Sequence, residues 1–266
     1  RSILSELLMT QKTLILLLGL ALLPTACVDR AKRVDEANVH YQIAQQLIAK
    51  DESTQSMAEA LKAAELDPKN AEVQNFLGLL YGQRAENDSA ETHFRKAITL
   101  DPKYSEAQNN LCGLLAEKQR YDEAIQHCQK AVENVTYPTP ERAYHNMGVA
   151  YERKGNLNKA IEVYKKGLIH NKNFVMTLKN LAKLYLNQKS HKDALPLLEN
   201  ASKVCELSPR GTWLQECPET HYRLAMLYVQ LKKRDRAVSE LQDCVKADDE
   251  KGAYGQKCRA SLKIYQ

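Results

Sequence analysis

Seven cysteines are the residues of this 266-residue chain best suited to chemistry, because a thiolate can bond to another sulfur, to a metal ion or to carbon. Six fall in three local pairs, Cys112 with Cys128, Cys205 with Cys217 and Cys244 with Cys258, while Cys27 stands apart behind an apolar run from Leu14 to Leu23. An even number in an exported chain points to disulfides, and six thiols allow fifteen connectivities. Two other uses of sulfur compete. Cys205, Cys217 and His221 could hold zinc, although their spacing matches no ordinary ligand pattern. His127 beside Cys128 could activate a nucleophile, but adjacent helix positions diverge in direction. The histidines are read as scattered over helix-surface and turn positions, and no phosphate-cradling glycine loop, nucleophile elbow or metalloprotease helix motif occurs. The expectation is a protein that is not an enzyme, with no metal, no cofactor and no small-molecule substrate.

The elements that must carry these residues are written as a repeat. Leu77, Gly78, Tyr81, Ala90, Phe94, Ala97 and Pro102 make one copy, and a small residue after an apolar one returns as Ala44, Gly78, Cys112, Gly148, Ala182 and Ala225, at steps of 34, 34, 36, 34 and 43 residues. Small residues suit the crossing of two helices, where close backbone approach leaves room for little else. Asp67-Pro68 and Asp101-Pro102 stop one helix and start the next, since proline lacks the amide that a helix interior needs. Tyr and Phe are expected to fill the gaps between neighbouring pairs.

This pattern resembles the tetratricopeptide repeat, a helix-turn-helix unit of the same period. The resemblance implies an all-α fold, a right-handed α-solenoid of six helix pairs with a C-terminal capping helix. The units run at about 37–70, 71–104, 105–140, 141–174, 175–217 and 218–251, and the cap at 252–266. One unit cannot bury its apolar face alone, so the six stack. In that register Cys112 and Cys128 face each other within the third unit, Cys205 and Cys217 bracket an insertion, and Cys244 and Cys258 staple the cap to the last pair. A closed loop of such length contributes about 3 kcal/mol.

The amino end reads as a secretion signal over residues 1–26, with the true start at Met9: Lys12 precedes the apolar run, and Pro24, Thr25 and Ala26 follow it. Thr25-Ala26-Cys27 resembles the bacterial lipobox, with Pro24 standing where that motif usually has Leu. The resemblance implies a covalent lipid on Cys27 and a short polar tether over 27–36. Val28 behind the cysteine, in place of Asp, implies the outer membrane. Acyl chains anchor at about 0.8 kcal/mol per buried methylene.

The net charge of +5 is small and its signs are interspersed, which disfavours nucleic acid as a partner. The basic cluster of Lys232, Lys233, Arg234 and Arg236 falls at a turn between helices and reads as a solvated loop. In tetratricopeptide arrays the first helix of each pair lines a groove. The positions that the resemblance assigns to it here are Asn75, Leu79, Gln83, Asn109, Glu117, His145, Val149, Glu152, Arg153, Lys179, Lys183, Tyr222 and Met226. They do not reproduce the Lys and Asn clamp of arrays that grip chaperone carboxyl termini.

The signal with its lipobox, the six units and the segment Tyr137-Pro138-Thr139-Pro140 leading into residues 141–151 together resemble the type IV pilus biogenesis lipoproteins of the PilF, PilW and Tgl kind, the pilotins. That resemblance implies an adaptor on the periplasmic face of the outer membrane that binds secretin subunits and promotes their assembly, in support of twitching or gliding motility. The alternative is a periplasmic lipoprotein scaffold that recruits cell-wall synthases or hydrolases.

Overall fold

The structure, a computed structural model, describes residues 30–207, 217–248 and 252–265. The signal segment, Cys27 and residues 208–216 lie outside the described residues. Thirteen helices and no strand occur among the described ones: α1 (residues 30–49), α2 (Ser53–Leu66), α3 (Ala71–Gln83), α4 (Asn87–Leu100), α5 (Ser105–Glu117), α6 (Tyr121–Glu133), α7 (Pro140–Arg153), α8 (Leu157–His170), α9 (Val175–Asn187), α10 (His191–Leu207), α11 (Cys217–Gln230), α12 (Arg234–Ala247) and α13 (Ala253–Tyr265). The polar tether expected over 27–36 is helical from residue 30, as the first turns of α1. None of these helices is long and apolar enough to cross a membrane.

The turn inside every pair is built in the same way. The residue just past each first helix takes positive φ: Asp51, Ala85, Gln119, Gly155, Lys189 and Lys232, between +57° and +87°. The amide after it then reaches back five residues, as in Glu52 N to Leu47 O, Tyr81 O from Glu86, Leu115 O from Arg120, Tyr151 O from Asn156, Tyr185 O from Ser190 and Tyr228 O from Lys233, at 2.8–3.0 Å. That is the Schellman ending, which satisfies carbonyls that the helix leaves over. The same residue's own carbonyl accepts the first amide of the next helix, for example Ala90 N on Glu86 O at 3.0 Å. One residue therefore closes one helix and opens the other.

Between pairs a different device recurs. Asp67, Asp101, Asn134 and Asn171 each accept, on a side-chain oxygen, the backbone amide two residues on, at 2.9–3.2 Å. Prolines follow the first two only. The Asx side chain is thus the shared stop signal, and proline is an addition to it.

Compact packing divides the chain between Asn110 and Leu111, inside α5. The first unit has a core of Ala44, Met57, Ala60, Ala63, Val73, Leu77 and Leu80, with Tyr41 edge-on to Phe76 at 5.6 Å. In the second, α6 packs on α7, α7 on α8, α9 on α10 and α11 on α12, and α13 covers both α11 and α12.

Sixteen residues past each small anchor stands its counterpart on the second helix, giving Ala44 with Ala60, Gly78 with Phe94, Cys112 with Cys128, Gly148 with Tyr164, Ala182 with Leu198 and Ala225 with Leu241. A methyl on Gly78 would lie 2.5 Å from the Phe94 ring, and one on Gly148 2.3 Å from the Tyr164 ring. Phe94 and Tyr164 therefore fill space within their own pair, while Tyr41, Phe76 and Phe174 lie between neighbouring pairs as the sequence suggested. In the third unit the crossing is a covalent bond. Cys112–Cys128 joins α5 to α6 at a Cα separation of 5.4 Å, Cys205–Cys217 joins α10 to α11 at 5.6 Å, and Cys244–Cys258 joins α12 to the capping α13 at 6.3 Å. These are the three local pairs, and the two thiols once considered for zinc are bonded to each other.

Two stability measurements check this account. Ala85→Gly should raise unfolding stability by about 0.5–1 kcal/mol, because alanine is strained at positive φ, whereas Gly155→Ala should lower it by about 1 kcal/mol. Gly78→Ala should cost about 1–3 kcal/mol by overpacking against Phe94, and adding Phe94→Leu should recover most of it by recreating the Ala182 and Leu198 pairing. Additive losses in chemical denaturation would contradict the second expectation.

Candidate partner-docking face

The thirteen groove positions separate by register. At the register three residues before the anchor, Asn75, Asn109 and His145 turn inward, while Lys179 and Tyr222 are part-buried. Asn75 and Asn109 are 5% and 6% exposed, and His145 is 5% exposed. Asn75 donates to the Tyr104 hydroxyl at 3.4 Å and accepts from the Asn110 amide at 2.9 Å. His145 Nδ1 lies 3.0 Å from Thr177 Oγ1 on α9, and its ring stands edge-on to Phe174 at 5.6 Å. Lys179, at the same register, donates to Glu219 on α11 at 2.7 Å. At this register Asn75 bonds to Asn110 on α5 and His145 to Thr177 on α9, so both join successive first helices, and Asn109 is buried. Leu79 and Gln83, one and five residues after the anchor, are exposed.

Within the second unit two recesses open on the first helices. One, of about 400 Å³, lies among α5, α7 and α9. It gathers Glu117, Val149, Glu152, Arg153 and Lys183 from the sequence assignment, with His145 in its floor. Lys183 pairs with Glu152 at 2.5 Å, and Arg153 donates to the Ala116 carbonyl at 3.2 Å. Tyr164 donates to Glu152 at 3.2 Å, and burial with that carboxylate beside it keeps the phenol protonated far above its ordinary range. Gly113, Asn146, Met176 and Asn180 complete the lining. Sequence reasoning missed both asparagines, yet Asn110, Asn146 and Asn180 all stand two residues before an anchor, a signal the repeat carries openly.

The second recess, of about 510 Å³, contains Tyr222 and Met226 together with Leu186, Lys189, His191, Arg223, Leu227 and Gln230, on α9, α11 and the start of α10. Glu219 beside it receives Lys179 at 2.7 Å and both Arg223 donors at 2.8 and 2.6 Å. Burial alone would raise the carboxyl pKa, but these cations outweigh it and hold Glu219 down at about 2. The basic cluster at the α11–α12 turn is partly committed elsewhere: Lys233 and Arg236 lie over the Tyr228 ring at 5.8 and 5.7 Å, and Arg234 donates to the Tyr265 carbonyl at 2.8 Å.

His170 is exposed at a helix end as the sequence suggested, but His40, His93 and His221 tie helices together. His40 pairs with Glu59 at 2.5 Å, Gln74 with His93 at 2.9 Å and His221 with Glu240 at 2.8 Å, each across a helix pair with a spacing of nineteen residues. In the last of these Ser202 Oγ also donates to Glu240 at 3.0 Å. A serine, a histidine and a glutamate thus meet, with His221 fully buried, and the set ties α10, α11 and α12 together. The equal offset was visible in the sequence. Among the described residues no group of three or more His, Cys, Asp or Glu side chains is arranged to hold a metal ion.

Comparison with known proteins agrees with this geometry. Tetratricopeptide-repeat models match residues 104–168, and residues 71–104 and 218–251. Residues 71–168 and 218–251 are therefore tetratricopeptide repeats. Its structure is similar to that of Pseudomonas aeruginosa pilF, with a TM-score of 0.72 and 21% identity over 86% of this chain and 99% of that one. It is also similar to PilW, described as a widely conserved type IV pilus biogenesis factor, with a TM-score of 0.70 and 23% identity over 83% of this chain and 97% of that one. MamA shares the fold over 62% of this chain, with a TM-score of 0.52 and 24% identity. At these identities the similarity is one of fold. No curated protein sequence matches the chain.

Buried His145 makes the second unit sensitive to acid. Burial, aided by Lys179, lowers its pKa from 6.5 to about 4, so between those values the unfolded chain takes up a proton that the folded one refuses. Stability should then fall as pH drops through 6.5 toward 4, by about 3 kcal/mol over the window. Glu219 adds a separate loss below about 4.5, as its carboxylate is protonated on the way to its folded pKa of about 2. Denaturation of His145→Gln across this range should lack the first slope; an unchanged slope would show that another group carries it.

Proposed function

We propose that this chain is an outer-membrane lipoprotein adaptor, a pilotin, which binds secretin subunits and promotes their assembly for type IV pilus biogenesis and the motility that depends on it. The observation that carries the reading is the length of the structural correspondence. The repeats overlay pilF and PilW with 86% and 83% of this chain and take in 99% and 97% of those two, whereas they overlay MamA with 62% of this chain. A face with two recesses on the first helices of the second unit fits a protein that holds a partner.

In this reading a lipid on Cys27 fixes the repeats to the periplasmic face of the outer membrane. A secretin subunit on the first-helix face is then kept at high local concentration beside others, so assembly is accelerated without covalent chemistry. The type IV pilus secretin is the partner, and neither nucleic acid nor a small molecule takes part.

Replacing Cys27 by serine separates binding from anchoring. The variant should still capture secretin in solution, while heat-resistant secretin multimers in cells fall to a small fraction of the wild-type amount. Normal multimer levels in cells carrying only Cys27→Ser would rule the mechanism out.

A further inference from the structure

The two recesses of the second unit differ in charge. The one among α5, α7 and α9 is balanced, with Glu117 and Glu152 against Arg153 and Lys183. In the one between α9 and α11 both charged side chains of the lining, Lys189 and Arg223, are cations. Arg223 shares its carboxylate, Glu219, with Lys179, so two positive groups stand against one negative. Lys189 is exposed and makes no ion pair with a described residue. A further cation, Lys257 of α13, lies 6.0 Å from the Tyr222 ring, on which the recess also draws. The floor between these charges is apolar: Leu186, Met226 and Leu227.

We propose that this recess binds an extended, acidic-aliphatic peptide segment of a protein partner, seating an aliphatic side chain on Leu186, Met226 and Leu227 while flanking carboxylates meet Lys189 and Arg223. The inference rests on the reading of the first-helix face as a docking surface and names the chemistry of what docks. A surplus of positive charge around an apolar floor favours a segment with the opposite sign on either side of its apolar residue. An ammonium carried on an exposed turn approaches a carboxylate with little desolvation. Such binding weakens as salt rises.

The test uses the full chain with Cys27→Ser and fluorescein-labelled peptides of about twelve residues in which Leu alternates with Glu, read by anisotropy. Counterparts carry Gln or Lys in place of Glu. The acidic peptide should bind about tenfold tighter than the Gln peptide, and the Lys peptide should bind least. Lys189→Glu and Met226→Asp should each weaken the acidic peptide about tenfold. Lys189→Gly should weaken it several-fold while relieving the positive-φ turn, so a loss there with a higher melting temperature excludes misfolding. Lys130→Glu on α6 serves as a distant charge control and should change nothing. Equal binding of the Glu and Gln peptides, or no effect of both Lys189→Glu and Met226→Asp, would overturn the inference. Secretin capture is measured in parallel. If secretin binds but the peptides show no charge preference, this inference fails and the pilotin reading stands; if the preference appears but secretin is not captured, the reverse holds.

Discussion

Two helices can cross closely only where one of them contributes almost no side chain to the crossing. Every unit satisfies that condition at the same register, and does so with different volumes. Glycine faces Phe94 or Tyr164, alanine faces Leu198 or Leu241, and in the third unit a disulfide replaces the contact altogether. Where glycine or alanine meets a large residue the two volumes compensate, because interior space tolerates neither a void nor an excess methylene, while in the first unit the counterpart of Ala44 is another alanine, Ala60. The backbone spacing so fixed determines which residues of the first helix face solvent.

The turns apply a second constraint. A positive-φ residue after each first helix and a five-residue reach back by the next amide give all six pairs the same corner. Five of the six positions are not glycine, so hydrogen bonds that satisfy leftover carbonyls outweigh the strain of an L-residue in the left-handed region. With crossing and corner both set, Asn75, His145 and Lys179, three residues before their anchors, come into the contact between neighbouring first helices. His145 with Thr177 and Lys179 with Glu219 are two uses of that one geometry.

Function follows from what these contacts leave uncovered. Buried histidine ties and disulfides spend the reactive groups of the chain on holding helices together, and the open positions are mostly long, polar or aliphatic side chains. Such a surface suits recognition. The two recesses, one balanced in charge and one cationic, give it separate chemistries at neighbouring places, which suits a partner that presents an extended segment more than one that presents a flat face.

The sequence by itself determined the repeat, its period, the helix pairs and the local partners of the cysteines, because all are set by short-range periodicity and by side chains no more than sixteen residues apart. It also contained, unread, the nineteen-residue offset of the histidine ties and the recurrence of Asn146 and Asn180. Of the groove positions assigned from the sequence, Glu117, Val149, Glu152, Arg153, Lys183, Tyr222 and Met226 line the two recesses, whereas Asn75 and Asn109 are buried and His145 is buried in the floor of one. A single helix cannot reveal that difference, since the side that faces solvent in one pair is the side that the next pair covers. Only the stacking of first helix on first helix decides which of two adjacent registers is buried, and that stacking also brings Lys189 and Arg223, far apart in the chain, to one recess.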